Sequence, residues 1–377
     1  MDFDQAPFVV IWETTQACDL ACKHCRAEAQ PDRDPSELST VEAKAMMTRI
    51  RDFGPVIFVF SGGDAMKRPD ITELVRHGTD LGMRMAITPA TTPLTGREQM
   101  LELKEAGLVR LAVSLDGSNA AIHDTFRQVD GSFEHGLRIL REAQEIGLST
   151  QVNTVIRRDN IDDMDAMIEL MTGLGVVFWE VFFLVPMGRA KPEDVASADE
   201  FEAVFDKLYE LSKTAPFDIK ATAAPQYSRV VVQHKRAENS EQPVIANAGP
   251  VQIDVLTSGR HHSDKDGIGR ARNVNDGDGF LFISHTGEIF PSGFLPISAG
   301  NVRDDDVVEV YRTSPLFLSL RDRSQIKGKC GVCNFLGLCG GSRARAYAMT
   351  GDPHAEEPFC SYVPPRARHD KRAAQPS

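Results

Sequence analysis

The sequence predicts an α/β protein: a partial (β/α)6 barrel with a parallel sheet, followed by a small α+β extension rich in cysteine. Two observations carry this. From residue 8 to about 190, short β-branched and aromatic runs alternate with amphipathic helical patterns; that alternation implies βαβ crossovers and parallel strands. The seven cysteines then divide into Cys18, Cys22 and Cys25 near the start and Cys330, Cys333, Cys339 and Cys360 in the last fifth, with none left over. Buried structural thiols would scatter instead.

The strand candidates are 8–13, 56–60, 84–88, 109–115, 150–156 and 177–185. Between the first two, Ser39-Thr40-Val41-Glu42 has the form of a capping box and opens a helix to about residue 53. Residues 133–147 place Phe133, Leu137, Leu140 and Ile146 on one helical face, and 161–173 do the same with Ile161, Met164, Ile168 and Met171. A further helix at about 198–213 carries Phe201, Val204, Leu208 and Leu211. Residues 214–278 read as irregular and polar, with a charged, glycine-rich stretch from Ser258 to Gly279. A β-rich module begins at Phe280, and the tail from Pro364 is expected to be disordered. The implied division is a core at 1–190, a bridge at 191–279, a cysteine module at 280–363 and a tail at 364–377.

With 377 residues, 42% of them hydrophobic and 25% charged, the chain has the composition of an ordinary soluble protein. A net charge of −12 argues against nucleic acid as the main partner, since a phosphate backbone needs a basic face. The acidic start Met1-Asp2-Phe3-Asp4 does not resemble a secretory signal. The most apolar run, Val176 to Met187, is interrupted by Glu180 and is too short to span a bilayer. No membrane partner and a cytoplasmic location are therefore expected. An odd number of cysteines suits no closed disulfide framework.

Cys18, Cys22 and Cys25 form C-x3-C-x2-C directly after the apolar run Phe8 to Trp12. Three thiolates can hold three irons of a cubane cluster and leave the fourth iron open to a small molecule. Zinc would want a fourth ligand, for which His24 is at hand. The triad resembles that of the radical S-adenosylmethionine (SAM) enzymes. That resemblance implies a [4Fe–4S] cluster on Cys18, Cys22 and Cys25 whose open iron chelates the amino and carboxylate groups of SAM. Reductive cleavage then yields a 5′-deoxyadenosyl radical that abstracts hydrogen, the cofactor carrying the chemistry and the protein supplying position and shielding. His24 stands where the family has an aromatic residue packing near the cluster. The cysteine loop follows the first strand, and so falls on the C-terminal face where parallel barrels gather their reactive groups.

The same resemblance extends along the strands in order. The second ends in Ser61-Gly62-Gly63-Asp64, where the family usually has Gly-Gly-Glu holding the amino group of SAM through backbone and carboxylate. Asp64 is one methylene shorter. The fourth strand gives Ser114-Leu115-Asp116-Gly117, followed by Arg127; by that match Ser114 touches the ribose or carboxylate region and Arg127 pairs with the carboxylate. Asn153 is placed for the ribose, Thr88 at the end of the third strand is a further candidate contact, and the segment from Leu184 to Arg189 would seat adenine through main-chain atoms.

Cys330-x2-Cys333-x5-Cys339 with Cys360 offers four thiolates, which suit a fully ligated [4Fe–4S] cluster or a closed zinc site equally well. The segment resembles the SPASM or twitch extension of radical SAM enzymes, through Gly287 to Phe294, Gly300-Asn301-Val302 and Cys339 to Ala346. This implies one auxiliary [4Fe–4S] cluster, redox-active or a structural staple. Full SPASM domains carry further cysteines near Pro291, where this chain has Ser292, so no second auxiliary cluster is expected. The pattern is nearest the haem-pathway branch (haem d1 and alternative haem biosynthesis) and the PQQ-type maturases. It implies oxidative modification of a tetrapyrrole side chain, with a maturase of ribosomal peptides as the alternative and a non-catalytic iron–sulfur carrier as the alternative of another class. A flavodoxin- or ferredoxin-type reductant is implied as partner. Arg260, His261, His262, Arg270 and Arg272, or Arg343 and Arg345, would offer cations to an acidic substrate. Only seven residues precede the first strand, so a peptide-recognition domain is expected to be a separate protein.

Overall fold

In the computed structural model, which describes residues 2–238 and 274–367, the strands are β1 (Val9–Glu13), β2 (Ile57–Ser61), β3 (Arg84–Ile87), β4 (Leu108–Ser114), β5 (Ser149–Ile156), β6 (Phe178–Phe183), β7 (Asp218–Thr222), β8 (Phe280–Ile283) and β9 (Ile289–Phe290). They form one sheet in the order β7-β6-β5-β4-β3-β2-β1-β8-β9. All neighbours are parallel except the β8–β9 hairpin. This is an open half-barrel, as the alternation predicts.

The crossover helices are α1 (Thr40–Ile50), α2 (Ile71–Asp80), α3 (Arg97–Glu105), α4 (Ala120–Arg127), α5 (Ser132–Glu145), α6 (Met164–Gly173) and α7 (Ala198–Ser212). The capping box at α1 forms as expected: the Glu42 N–H donates to Ser39 Oγ, and the Ser39 N–H to Glu42 Oε2 at 2.8 Å. Because strand side chains alternate, Trp12, Phe58, Phe60, Trp179 and Phe183 point toward the helices and are buried there. Each such side chain contributes about 1.5–3 kcal/mol. The opposite faces line the concave side. At its N-terminal end Ile57, Ala86 and Val9 close an apolar floor; at its C-terminal end the register pairs Glu13 with Ser61 and Ser114 with Asn153.

The structure corrects the sequence reading between 214 and 278. That stretch contains β7 and α8 (Gln226–Glu238), and β7 extends the sheet parallel to β6. Their apolar signal is weak: in β7 it reduces to Ile219 and Ala221, and α8 buries Gln226 and Arg229 beside Val230 and Val232. The β-rich module expected from Phe280 reduces to β8 and β9, the remainder being helical, and β8 joins the barrel sheet beside β1, from Val9↔Phe280 to Trp12↔Ile283. After β9 come α9 (Val307–Thr313), α10 (Pro315–Arg321), α11 (Gly328–Gly331) and α12 (Arg343–Thr350). The glycine-rich stretch up to residue 273, with Arg260, His261, His262, Arg270 and Arg272, and the expected tail from 368 on lie outside the described residues.

Candidate active site

The loop after β1 carries the three N-terminal cysteines. Its ends are zipped together by Cys18 N–H donating to Gln30 O (2.7 Å) and Gln30 N–H to Gln16 O (3.0 Å). Two glycine contacts clamp it. A Cβ on Gly63 would lie 2.4 Å from Ala17 O, and one on Gly62, at φ +146°, 2.4 Å from Thr15 O. On the other side a Cβ on Gly188 (φ +58°) would meet Cys25 O at 2.4 Å, where the Arg189 N–H also donates. Only glycine permits these approaches.

Each thiol of this loop accepts one hydrogen bond: Cys18 from the Leu20 N–H, Cys25 from the Ala29 N–H (both 3.3 Å), and Cys22 from Arg127 Nη1 (3.5 Å). Burial pushes Cys18 up to about 12 and raises Cys22, against the lowering pull of Arg127 on the latter. Such buried thiols become thiolates when a cationic metal centre takes them as ligands. The donor set thus fits a three-cysteine iron–sulfur site.

A cavity of about 1140 Å³ opens beside this loop at the C-terminal ends of the strands. Its lining includes all three cysteines together with Gly62, Gly63, Thr88, Ser114, Arg127, Asn153 and Leu184. Asp64 is not among them. Its carboxylate is fully buried, accepting from Met66 N–H (3.1 Å), Ala90 N–H (3.3 Å) and Thr92 Oγ1 (2.9 Å). Burial, the largest influence, raises its pKa. The Asp64 carboxylate therefore braces the loops after β2 and β3 instead of facing the cavity.

Arg127 reaches the cavity and also forms an ion pair with the buried Asp116. Asp116 is fixed in turn by the Val155 N–H (2.7 Å). The expected partner of Arg127 was a ligand carboxylate; the partners on this chain are Asp116 and Cys22. His24 lies flat on Phe126, with ring centroids 4.3 Å apart. Burial pulls it down to about 3, so it is neutral at ordinary pH. Leu184 is engaged at both main-chain ends: its N–H donates to Ile156 O, and its carbonyl accepts from Arg345 Nε, each at 3.2 Å.

The sequence reading missed Arg26, Ser61, Phe182 and Phe294 in the cavity wall, and it named Met187 only as part of the main-chain segment from Leu184 to Arg189. Strand parity would have found Ser61 and Phe182, since they share a face with Val59 and Glu180. Phe294 comes from the loop after β9 and meets Phe182 at 6.2 Å, a contact with no local signature. Arg26 is ion-paired with the buried Glu13 of β1 and lies 4.6 Å from the Phe282 ring centroid. Arg343 and Arg345 correct another expectation. Both are buried: Arg345 pairs with Glu357 and donates to the carbonyls of Phe183, Leu184 and Ala223, while Arg343 donates to those of Gly341, Pro353 and Ala355. Neither is available to a substrate.

Cys330, Cys333, Cys339 and Cys360 ring a second space of about 380 Å³. Cys330 accepts from the Glu357 N–H (3.3 Å), Cys333 from Phe335 and Cys339 from Gly341 (both 3.4 Å), and Cys360 from Tyr362. Burial raises all four thiols. These four surround that volume with a backbone donor for each sulfur. That arrangement fits a fully ligated cubane. Ser292 is buried and donates to the half-buried Asp276, whose other oxygen accepts the Ala344 N–H at 2.8 Å.

Comparison with known proteins follows the same lines. A family profile described as the radical SAM superfamily matches residues 12–171. The AdoMet-dependent heme synthase of Oleidesulfovibrio alaskensis is 40% identical, over 94% of this chain and 87% of its own length. The protein of the same name from Methanosarcina barkeri is 38% identical, over 95% and 97%. Among solved structures, Streptococcus suis SuiB bound to its precursor peptide SuiA superposes with a TM-score of 0.68 at 15% identity, covering 95% of this chain and 76% of that one; the likeness is one of fold.

Proposed function

This chain belongs to the radical SAM superfamily, and from that premise we propose that it performs a haem-forming step, the oxidative modification of a tetrapyrrole side chain. It is a SAM-dependent radical enzyme; the tetrapyrrole is our reading. What supports that reading is the 40% identity to a relative named AdoMet-dependent heme synthase across 94% of the chain. A [4Fe–4S] cluster and SAM held in this site would supply radical abstraction of a hydrogen atom from the substrate.

The chain's own residues prepare that event. Cys18, Cys22 and Cys25 would hold the cluster, and the main chain at Gly62 and Gly63 lies open on the cavity beside them. Ser114, Asn153 and Thr88 present short polar side chains at neighbouring strand ends, the right reach for the ribose and amino-acid groups of SAM. Arg127 is oriented by Asp116, so its charge is fixed before any ligand arrives. Phe182, Phe294 and Met187 give part of the wall a flat apolar character that suits a macrocycle. Arg26, held by Glu13 and partly exposed, is placed to meet a substrate carboxylate at that wall. Cys330, Cys333, Cys339 and Cys360 would hold the auxiliary cluster, which we assign the redox role that a net oxidation requires.

We further place the enzyme in the cytoplasm with a flavodoxin- or ferredoxin-type reductant. None of the helices among the described residues is long and apolar enough to cross a membrane. The test is anaerobic reconstitution followed by SAM, dithionite and an iron porphyrin bearing carboxylate side chains. About eight irons per chain are expected, four per cluster, with 5′-deoxyadenosine that rises with porphyrin and a porphyrin product of altered mass. Deoxyadenosine formation indifferent to the porphyrin, with no mass change, would remove the tetrapyrrole assignment and leave the radical chemistry standing.

A further inference from the structure

One wall of the four-cysteine cavity comes from outside the cysteine segment. Gln226, the first residue of α8, lines this space and is only 1% exposed. Among the described residues neither its Nε2 nor its Oε1 has a hydrogen-bond partner. Native interiors rarely leave a buried donor or acceptor unpaired.

Its neighbours do not explain the side chain. One turn on, Arg229 also lines the space; its Nη1 and Nη2 donate to Gln233 and Glu202, and its buried Nε has no partner among the described residues. The thiols have their own donors, one backbone N–H each. Gln226 is the glutamine on this wall, and its amide has no partner among the described residues. We infer that the Gln226 amide donates a hydrogen bond to a sulfur of the auxiliary [4Fe–4S] cluster and thereby raises its reduction potential. The reduced cluster carries one more negative charge than the oxidised one. A fixed N–H aimed at its sulfur therefore stabilises the reduced form more. Gln226 is a positioning residue in this account: the four cysteines complete the ligand shell, and the amide tunes what they hold.

This inference rests on the auxiliary site holding a cluster, and the experiment separates the two. Full-length protein carrying Cys18→Ala, Cys22→Ala and Cys25→Ala retains only the C-terminal site, and about four irons should remain on it. With glutamine labelled with ¹⁵N, pulsed EPR of the reduced cluster should show a nitrogen coupling that Gln226→Met abolishes. In a potentiometric titration read by EPR, Gln226→Met should lower the midpoint by about 59 mV, a tenfold change in the one-electron equilibrium. The label needs no folded variant to be informative, because its coupling is sought in the chain with Gln226 intact. A four-iron protein without the coupling, or a potential unmoved in a variant that keeps its irons, overturns the inference. Zinc, or no metal, on the four intact cysteines overturns the auxiliary cluster itself and the inference with it.

Discussion

Every thiol of the C-terminal set takes its hydrogen bond from a backbone N–H, whereas in the N-terminal set Cys22 takes one from the Arg127 guanidinium at the far end of α4. The first site is self-contained, a coil folded around its own ligands and closed by α8. The second is assembled from several strands and borders a cavity about three times as large, about 1140 Å³ against 380 Å³. A site that must admit SAM and a substrate cannot wrap itself in its own loop. It takes its donors from elements that also form the cavity wall, and Arg127 serves both cysteine and cavity. A site that needs only to hold its own ligands has no such need.

The comparison breaks most visibly at the cysteines themselves. Cys22→Ala should reduce SAM cleavage to the background of protein without cluster, read as 5′-deoxyadenosine under dithionite. Cys339→Ala should remove about four of the eight irons while leaving uncoupled cleavage in place, so that deoxyadenosine persists and porphyrin product falls. If both variants lose cleavage equally, the two sites do not divide the labour as their architectures suggest.

The sites are joined by a buried ion pair, and the next largest effect is expected there. Arg345 and Glu357 are both 0% exposed. Glu357 donates its N–H to Cys330 and accepts the Ser342 N–H, while Arg345 reaches the carbonyls of Phe183 and Leu184 at the end of β6. Removing one partner strands a charge in the interior, and Arg345→Met should cost about 3–5 kcal/mol in denaturant unfolding. Arg345→Met combined with Glu357→Leu should recover much of that loss in stability. Recovery of stability without recovery of SAM affinity would assign the pair to holding the β6 end in place. Loss of neither would mean the two regions are only loosely coupled.

The same contrast explains how much of the molecule could be read from its sequence. The barrel was legible because its strands and helices each carry a strong period, and the cysteines because their spacing is local. The predicted contacts on the cavity were legible as strand ends. Asp64 was misjudged because a carboxylate after two glycines says nothing about which way it turns; three donors from Met66, Ala90 and Thr92 decide that. Arg343 and Arg345 read as surface cations because burial of an arginine depends on partners distant in sequence. β7 and α8 were invisible for a related reason: β7 mixes polar lumen-facing residues into a short strand, and α8 buries Gln226 and Arg229 against a cysteine cavity formed about a hundred residues later.

A smaller effect sharpens the comparison at the seam between β1 and β8. Glu13, buried at the end of β1, pairs with Arg26 of the cysteine loop and accepts a hydrogen bond from His285 Nδ1 (2.8 Å), just beyond β8. Burial works against the His285 imidazolium, but the hydrogen bond and charge of Glu13, with Asp34 and Glu37 beyond, outweigh it and hold its pKa above the usual 6.5. Glu13 itself is held low: burial raises it, and Arg26 with His285 more than compensates. A histidine raised in the folded state contributes stability that is fully present below its unfolded value of about 6.5. That contribution is lost as pH climbs through the folded value. Glu13 is ionised in both states above pH 6, so His285 alone sets the slope of this pair there. The difference in unfolding free energy between the native chain and His285→Gln should therefore be greatest near pH 6 and shrink toward pH 9. A difference that stays flat would make the contact a neutral hydrogen bond. The seam between the cysteine loop and the C-terminal segment would then be held by packing and by Arg26 alone.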